Sequence, residues 1–398
     1  MGRLITYPDF HVMTKPVGPI CNLDCKYCYY LAKEDLYPGK KGLGFRMPQA
    51  VLESYVRQYM EAQAGPVVNF AWQGGEPTLL GVDYFRQVVQ LQQAHLPAGK
   101  QVQNAIQTNG TLLDDGWASF FKENNFLVGI SIDGPESLHD GYRVDKGGHA
   151  SYADVVRGLR LLQAHGVEYN ILCTVNALNV TEPVRVYEHL KELGGRYLQF
   201  IPIVERDGTK EEATAESVPA AAYGEFLCGV FDRWVRSDVG SVFVQIFDNT
   251  LSIWLGEGSS MCVFAPTCGS ALALEHNGDL YSCDHFVRPS HHLGNLKLLP
   301  LVDMVNSGRQ VAFGQAKQAD LPAYCRSCEV RFACNGECPK NRFTRTPDGE
   351  AGLNYLCPSY KHFYKHVAPH MNFMARELQR GRPAANIMLA LEAAEARR

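Results

Sequence analysis

Eleven of the thirteen cysteines in this 398-residue chain fall into two dense groups, three in one and eight in the other. The first is Cys21-Asn22-Leu23-Asp24-Cys25-Lys26-Tyr27-Cys28, a C-x3-C-x2-C run that places three thiolates within one short turn and supplies no fourth. Soft thiolates select iron–sulfur clusters or zinc. Three of them suit a cubic [4Fe–4S] cluster with one iron left open, where a small molecule can bind. A zinc knuckle completed by a distant His or Cys, or a set of disulfide partners, are the competing readings of this spacing. The second group is Cys262, Cys268 and Cys283, then Cys325, Cys328, Cys334 and Cys338, then Cys357. Eight is two sets of four, and full four-thiolate ligation gives closed electron-transfer clusters without an open iron. Two structural zinc sites are the alternative, because Cys325-x2-Cys328 is also a zinc-ribbon spacing. Cys173 and Cys228 sit among apolar residues and read as buried structural thiols.

The rest of the composition narrows the class. At 46% hydrophobic the chain can bury a full core, in one large domain or two smaller ones. With 38 basic and 42 acidic residues the net charge is −4, so nothing points to nucleic acid or an anionic membrane as partner. Met1 to Phe10 lacks a basic segment followed by an apolar stretch, and no apolar run approaches the ~20 residues needed to cross a bilayer. An odd cysteine count in two dense clusters favours metal ligation over disulfides. These features read as a cytoplasmic protein in a reducing compartment.

The cysteine loop follows a strand candidate, His11–Gly18, the first of six. The others are Val67–Gln73, Val102–Thr108, Phe126–Ile132, Tyr169–Val175 and Tyr197–Val204. Between them lie helix candidates at Met47–Ala64, Asp83–His95, Asp114–Asn124, Ser151–His165 and Thr181–Leu193, with apolar residues at i, i+3, i+4 and Pro48 in the first turn of its helix. Such alternation implies parallel strands with right-handed crossovers, hence an α/β sheet or partial barrel with its site at the carboxyl ends of the strands. The polar motifs fall there. Trp72-Gln73-Gly74-Gly75-Glu76-Pro77 follows one strand, and its glycines let backbone approach a ligand closely while Glu76 can accept from an ammonium group, although a turn with no ligand reads the same way. Gln107-Thr108-Asn109-Gly110-Thr111 and Ser131-Ile132-Asp133-Gly134 end two more strands. Residues 206–217 read as a loop, with helices at Pro219–Arg236 and Val242–Leu255 after it, a closing helix at Tyr360–Leu378 and an Ala-rich helical tail over 384–398 that either frays or docks.

Taken with its aromatic Tyr27, the Cys21–Cys28 run resembles the signature of the radical S-adenosylmethionine (SAM) superfamily, C-x3-C-x-aromatic-C. In that superfamily SAM chelates the open iron, and reductive cleavage of its carbon–sulfur bond yields methionine and a 5′-deoxyadenosyl radical. The resemblance implies SAM-binding roles for Gln73, Gly74, Gly75 and Glu76, which match a GGEP segment, and for Tyr30, Asn109, Ser131 on the ribose side, Arg143 on the carboxylate and Val204 on the adenine side. The C-terminal cysteines resemble a SPASM domain, and the whole pattern from about residue 11 to 362 is similar to the anaerobic sulfatase-maturating enzymes. That family implies a partial (β/α)6 barrel over 1–205, linker helices over 206–260, a small cysteine-rich iron–sulfur domain over 261–362 and a tail over 363–398. It implies three [4Fe–4S] clusters: Cys21, Cys25 and Cys28; Cys262, Cys268, Cys283 and Cys338; and Cys325, Cys328, Cys334 and Cys357. Asp284 matches the family's catalytic base, with His285 a competing base by chemistry alone and a turn-capping Asp the plain reading.

The reaction so implied is oxidation, without oxygen, of a Cys or Ser side chain in a sulfatase motif of the type Cys/Ser-x-Pro-x-Arg to Cα-formylglycine, with flavodoxin or ferredoxin as electron donor. The rivals are another SPASM peptide maturase forming crosslinks and a zinc-stabilised scaffold without SAM chemistry. Nothing in the sequence decides between Cys and Ser substrates, or fixes the oligomeric state.

Overall fold

The structure, a computed structural model, describes residues 10–397. The chain divides into two compact units that alternate along it: one runs to Ser131 and adds Arg143–Tyr169 and Cys268–Ala316, and the other takes Ile132–Tyr142, Asn170–Thr267 and the chain from Lys317 on. In chain order the first elements are β1 (His11–Lys15), α1 (Gln49–Ala62), β2 (Val67–Trp72), α2 (Val82–His95), β3 (Gln101–Thr108), α3 (Asp115–Glu123) and β4 (Phe126–Ser131). They are followed by α4 (Glu136–Tyr142), α5 (Tyr152–Ala164), β5 (Tyr169–Val175), α6 (Pro183–Glu192) and β6 (Tyr197–Pro202). All six expected strands and all five expected helices are present within a few residues of their expected ends. Pro48, expected inside the first turn of α1, is instead its extended N-cap residue.

In the first unit β1, β2, β3 and β4 pair in that order, all parallel. Local sequence sets the elements. In α3 the Asp114 carboxylate accepts from the Trp117 amide at 2.9 Å, capping the helix, while Trp117, Phe120 and Phe121 repeat at helical spacing and are buried. Tyr55 and Tyr59 of α1 pack against Phe70 and Trp72 of β2, with ring centroids 5.1–6.1 Å apart. After α7 (Ala222–Ser237), β7 (Phe243–Val244) and α8 (Gln245–Leu255), the chain returns to the first unit as β8 (Ala271–Glu275), β9 (Asp279–Tyr281) and β10 (His292–Asn295). β8 pairs parallel with β1, Lys15 opposite Glu275, and β9 and β10 continue antiparallel from it. No local pattern announced these strands, and they bring the turn after Cys283 to the first strand of the sheet.

In the second unit β5, β6 and β7 are parallel neighbours. Residues Val242–Val244, expected as the start of a helix, begin with β7, and α8 starts only at Gln245. The closing helix runs Cys357–Gln379, so Cys357 is its first residue. It packs against α7 where Gly224 leaves no room for a side chain, since a Cβ there would lie 2.7 Å from the backbone of Ser359. The tail docks on α7: helix Asn386–Glu395 buries Ile387 against the unit, and Arg236 pairs with Glu395. Cys173 and Cys228 are buried. Among the described residues no helix is long and apolar enough to cross a membrane.

Candidate active site

The carboxyl ends of β1 to β4, with the loops that leave them, enclose a cavity of about 170 Å³. Cys21, Cys25 and Cys28 line it together. The loop that carries them is anchored between Cys21 and Cys25. Asn22 donates to Thr111 Oγ1 at 2.9 Å and accepts from Asn109 Nδ2 at 2.9 Å, and the Asp24 amide donates to the Val144 carbonyl at 2.8 Å. Burial, then the charge of Glu76, pushes the Cys21 thiol up to about 12. A bound cation favours the thiolate, which is the form that ligates metal.

Gln73, Gly74, Gly75 and Glu76 form the opposite wall. Gly75 has φ +43°, and a Cβ on it would lie 2.0 Å from the Ile20 carbonyl oxygen at the entry to the cysteine loop. Gly74, at φ +99°, would meet the Lys15 side chain at 2.4 Å. Only glycines allow the two loops to close on one another. Glu76 is fully buried and already engaged: Oε1 accepts from the Thr78 amide (3.0 Å), Thr78 Oγ1 (2.6 Å) and Thr108 Oγ1 (2.7 Å), and Oε2 from the Asn109 amide (2.7 Å). Burial pushes its pKa up, and those hydrogen bonds only partly restore it. Its first task is to tie the ends of β2 and β3 together.

Asn109, Ser131 and Arg143 complete the lining. Ser131 Oγ accepts from Gln107 at 3.0 Å, and Arg143 is buried with Nη1 donating to the Tyr27 hydroxyl at 2.8 Å, so the aromatic of the cysteine run orients the guanidinium. Tyr30 also lines the cavity, but its hydroxyl is taken up by Glu275 of β8. Val204 is not among the lining residues: it belongs to the second unit, where it is buried and its carbonyl accepts from Lys340 Nζ at 2.7 Å.

Asp284 stands behind two lining residues. Lys15 Nζ lies 2.5 Å from Oδ1, and the Tyr29 hydroxyl donates to Oδ2 at 2.5 Å. His285 meets Tyr29 edge-on, ring centroids 5.7 Å apart. Burial pushes the Asp284 carboxyl up, but Lys15, His285 and the Tyr29 hydrogen bond together hold it below the ordinary carboxylate range. Burial and the nearby Asp284 charge keep Tyr29 a protonated donor. Lys15 and Tyr29 are cavity-lining residues in contact with Asp284 that sequence reasoning missed. A lysine inside the apolar run His11–Gly18 was the available signal, since lysine is almost never fully buried unless paired. Lys15→Met is expected to destabilise the first unit by about 3–5 kcal/mol, less what protonating Asp284 recovers. Anaerobic denaturant unfolding read by tryptophan fluorescence checks it, because Trp72 and Trp117 both lie in that unit.

In the second unit Cys325, Cys328, Cys334 and Cys357 line a single small, mostly apolar cavity. Burial pushes Cys334 up to about 12 and Cys357 up to about 11. The other four are divided, Cys268 and Cys283 in the first unit, Cys262 and Cys338 in the second.

Residues 16–198 match the radical SAM superfamily, and residues 262–329 match the SPASM iron–sulfur cluster-binding domain. Over 98% of its length the chain is 48% identical to a serine-type anaerobic sulfatase-maturating enzyme of Bacteroides thetaiotaomicron, of which it covers 98%. The chain belongs to the anaerobic sulfatase-maturating enzymes. A cysteine-type member from Clostridium perfringens is 33% identical over 94% of the chain and is covered over 100% of its own length. The solved structure of anSMEcpe with bound AdoMet superposes with a TM-score of 0.84 at 32% identity, over 92% of this chain and 99% of that one. The fold is therefore the radical SAM partial barrel, a mostly parallel α/β sheet, with a SPASM domain. Anaerobic sulfatase-maturating enzymes are radical SAM oxidoreductases that convert a Cys or Ser side chain of a sulfatase to formylglycine without oxygen, using SAM and three [4Fe–4S] clusters. The zinc readings of both cysteine groups give way to this assignment. The residues present fit those groups: three thiols share one cavity with a polar wall free of Cβ atoms at Gly74 and Gly75, and four more thiols share another.

Proposed function

We propose that this chain oxidises the serine of a Ser-x-Pro-x-Arg motif in a sulfatase polypeptide to Cα-formylglycine, with Asp284 as the base. The preference for serine is supported by the 48% identity to a serine-type member, against 33% to a cysteine-type member over a similar share of the chain. Cys21, Cys25 and Cys28 hold the cluster that binds SAM, and Gln73, Gly74, Gly75, Glu76, Asn109, Ser131, Arg143 and Tyr30 form the SAM wall, while an adenine-side role for Val204 rests on the family resemblance alone. Cys262, Cys268, Cys283 and Cys338 hold one auxiliary cluster; Cys325, Cys328, Cys334 and Cys357 hold the other. When bound, these groups supply a 5′-deoxyadenosyl radical that takes a Cβ hydrogen atom, and an acceptor for the electron left behind.

The chain's own residues handle the proton. Arg143, an always-charged planar fork oriented by Tyr27, pairs with a carboxylate on the bound cofactor. Lys15 keeps Asp284 anionic in a buried site, and Tyr29 holds Oδ2 in place. Asp284 then takes the hydroxyl proton of the substrate serine, so that loss of one hydrogen atom, one proton and one electron turns CH2OH into the aldehyde. A small electron-transfer protein of flavodoxin or ferredoxin type donates the priming electron, and a reducing cytoplasm is the compartment that keeps thirteen cysteines available.

The test is anaerobic incubation with SAM, a reductant and a short Ser-x-Pro-x-Arg peptide or its Cys twin, followed by mass spectrometry. The Ser peptide is expected to lose two hydrogens, alongside 5′-deoxyadenosine. Conversion of the Cys peptide alone would reverse the serine assignment. Deoxyadenosine without a mass change in either peptide would move the assignment to another SPASM-type peptide maturase.

A further inference from the structure

The loop that joins Cys334 to Cys338 has an unusual backbone. Asn335, Gly336 and Glu337 all adopt left-handed conformations, with φ of 47°, 71° and 47°. For the two residues with side chains this costs roughly 1–2 kcal/mol each, so something must hold the loop. Arg342 does: Nε donates to the Gly336 carbonyl at 2.9 Å, and Nη2 donates to the carbonyls of Asn335 and Glu337, both at 3.1 Å. Nη1 donates to the Lys317 carbonyl at 2.6 Å. One planar fork thus caps all three left-handed carbonyls, and Gly336 has no space for a side chain, since a Cβ would lie 2.8 Å from Arg342 Nη2. A hydrogen bond from the Gly336 backbone works against burial at the Cys334 thiol.

The same guanidinium places a fixed positive charge within electrostatic reach of Cys325, Cys334 and Cys338. Lys361 also acts on the cavity, at Cys357, but its ammonium is turned to the Tyr324 hydroxyl at 3.3 Å. Glu337 is buried with its carboxylate held by Asn354 and Asn341 at 2.6 and 3.0 Å, and Arg331 and Lys361 line the cavity itself, so Arg342 is the cation of this group that is fixed to the Cys334–Cys338 loop by its hydrogen bonds. A four-thiolate cluster gains negative charge on reduction, and nearby charge and hydrogen bonds to its sulfurs set its potential.

We infer that Arg342 is the positioning residue of the second auxiliary centre: it braces the Cys334–Cys338 loop and raises the reduction potential of the cluster held by Cys325, Cys328, Cys334 and Cys357. This rests on the ligand assignment proposed above. Its consequence for the reaction is direct, because an acceptor of a substrate-derived electron must have a potential high enough to take it.

The test uses full-length protein with Cys21, Cys25 and Cys28 replaced by Ala, leaving only the auxiliary centres, in redox titrations followed by electron paramagnetic resonance with iron and sulfide counted. Arg342→Gln, loaded with iron, is expected to shift one auxiliary midpoint to more negative potential by about tenfold in the one-electron equilibrium, 59 mV. Arg342→Lys keeps the charge and loses the fork, and is expected to stay near the parent value. Unchanged midpoints in Arg342→Gln, or an equal shift in Arg342→Lys, overturn the charge role. If Arg342→Gln loses iron, retention in Arg342→Lys with an unshifted midpoint supports the need for a cation there. Loss of iron in both reduces Arg342 to loop architecture alone. Absence of auxiliary iron in the parent would instead defeat the ligand assignment.

Discussion

Asp284→Asn is expected to keep iron loading and SAM cleavage while formylglycine formation falls by about 10²–10⁴-fold, the usual contribution of a positioned general base. The substitution is nearly isosteric, so the turn after Cys283 and the Tyr29 hydrogen bond at Oδ2 have a shape to return to. What disappears is the negative charge. An amide cannot take the hydroxyl proton of a serine, and raising the pH does not restore a group that has no carboxylate to ionise. In the parent protein Lys15, His285 and Tyr29 outweigh burial and hold the Asp284 carboxyl below its usual range, so the base is ready throughout the neutral region. Lys15 is left facing an amide in a buried site, so unfolding must be measured beside activity to separate lost chemistry from lost structure. The readout is paired: deoxyadenosine by chromatography and peptide mass by spectrometry. Equal peptide conversion in parent and variant would remove Asp284 from the mechanism and turn attention to His285.

How much of this was legible in the sequence follows from how local each signal is. The six strands and five helices of the barrel half were readable because each carries its own period and end signals, such as Asp114 at the start of α3. The cysteine groups were readable because spacing within a short loop is itself geometry. The parallel pairing of β8 with β1 was not, since nothing in Ala271–Glu275 names a partner some 260 residues away, and without that pairing the Lys15–Asp284–Tyr29 contact has no basis. The protein partners of the lining side chains were not legible for a related reason. Glu76 has the residue type to accept from an ammonium, yet four protein donors on Thr78, Thr108 and Asn109 already hold it, and Tyr30 spends its hydroxyl on Glu275. A motif tells which groups are present, not which of their lone pairs remain.

Cys25→Ala is the second large effect: SAM cleavage is expected to disappear while both auxiliary centres still assemble. The backbone of the cysteine loop has anchors of its own besides the Cys25 side chain. The Cys28 amide donates to the Cys25 carbonyl at 3.0 Å, and Asn22, Asn109 and Val144 anchor the loop from outside, so alanine keeps the turn and removes only the sulfur. With two thiols where three are needed, an iron–sulfur cluster with an open site loses a ligand that nothing nearby replaces: the other lining side chains at that end are Tyr27, Tyr29 and Tyr30, which stay protonated or hydrogen-bonded to protein. The auxiliary set of Cys325, Cys328, Cys334 and Cys357 belongs wholly to the second unit and has its own bracing, so its assembly is independent of this loss. Iron content should therefore fall by one cluster of three, and the paramagnetic signal that responds to added SAM should vanish while the remaining signals persist. Deoxyadenosine formation at the parent rate in this variant would show that the reactive iron is held elsewhere, and the cavity at the ends of β1 to β4 would lose its claim to the chemistry.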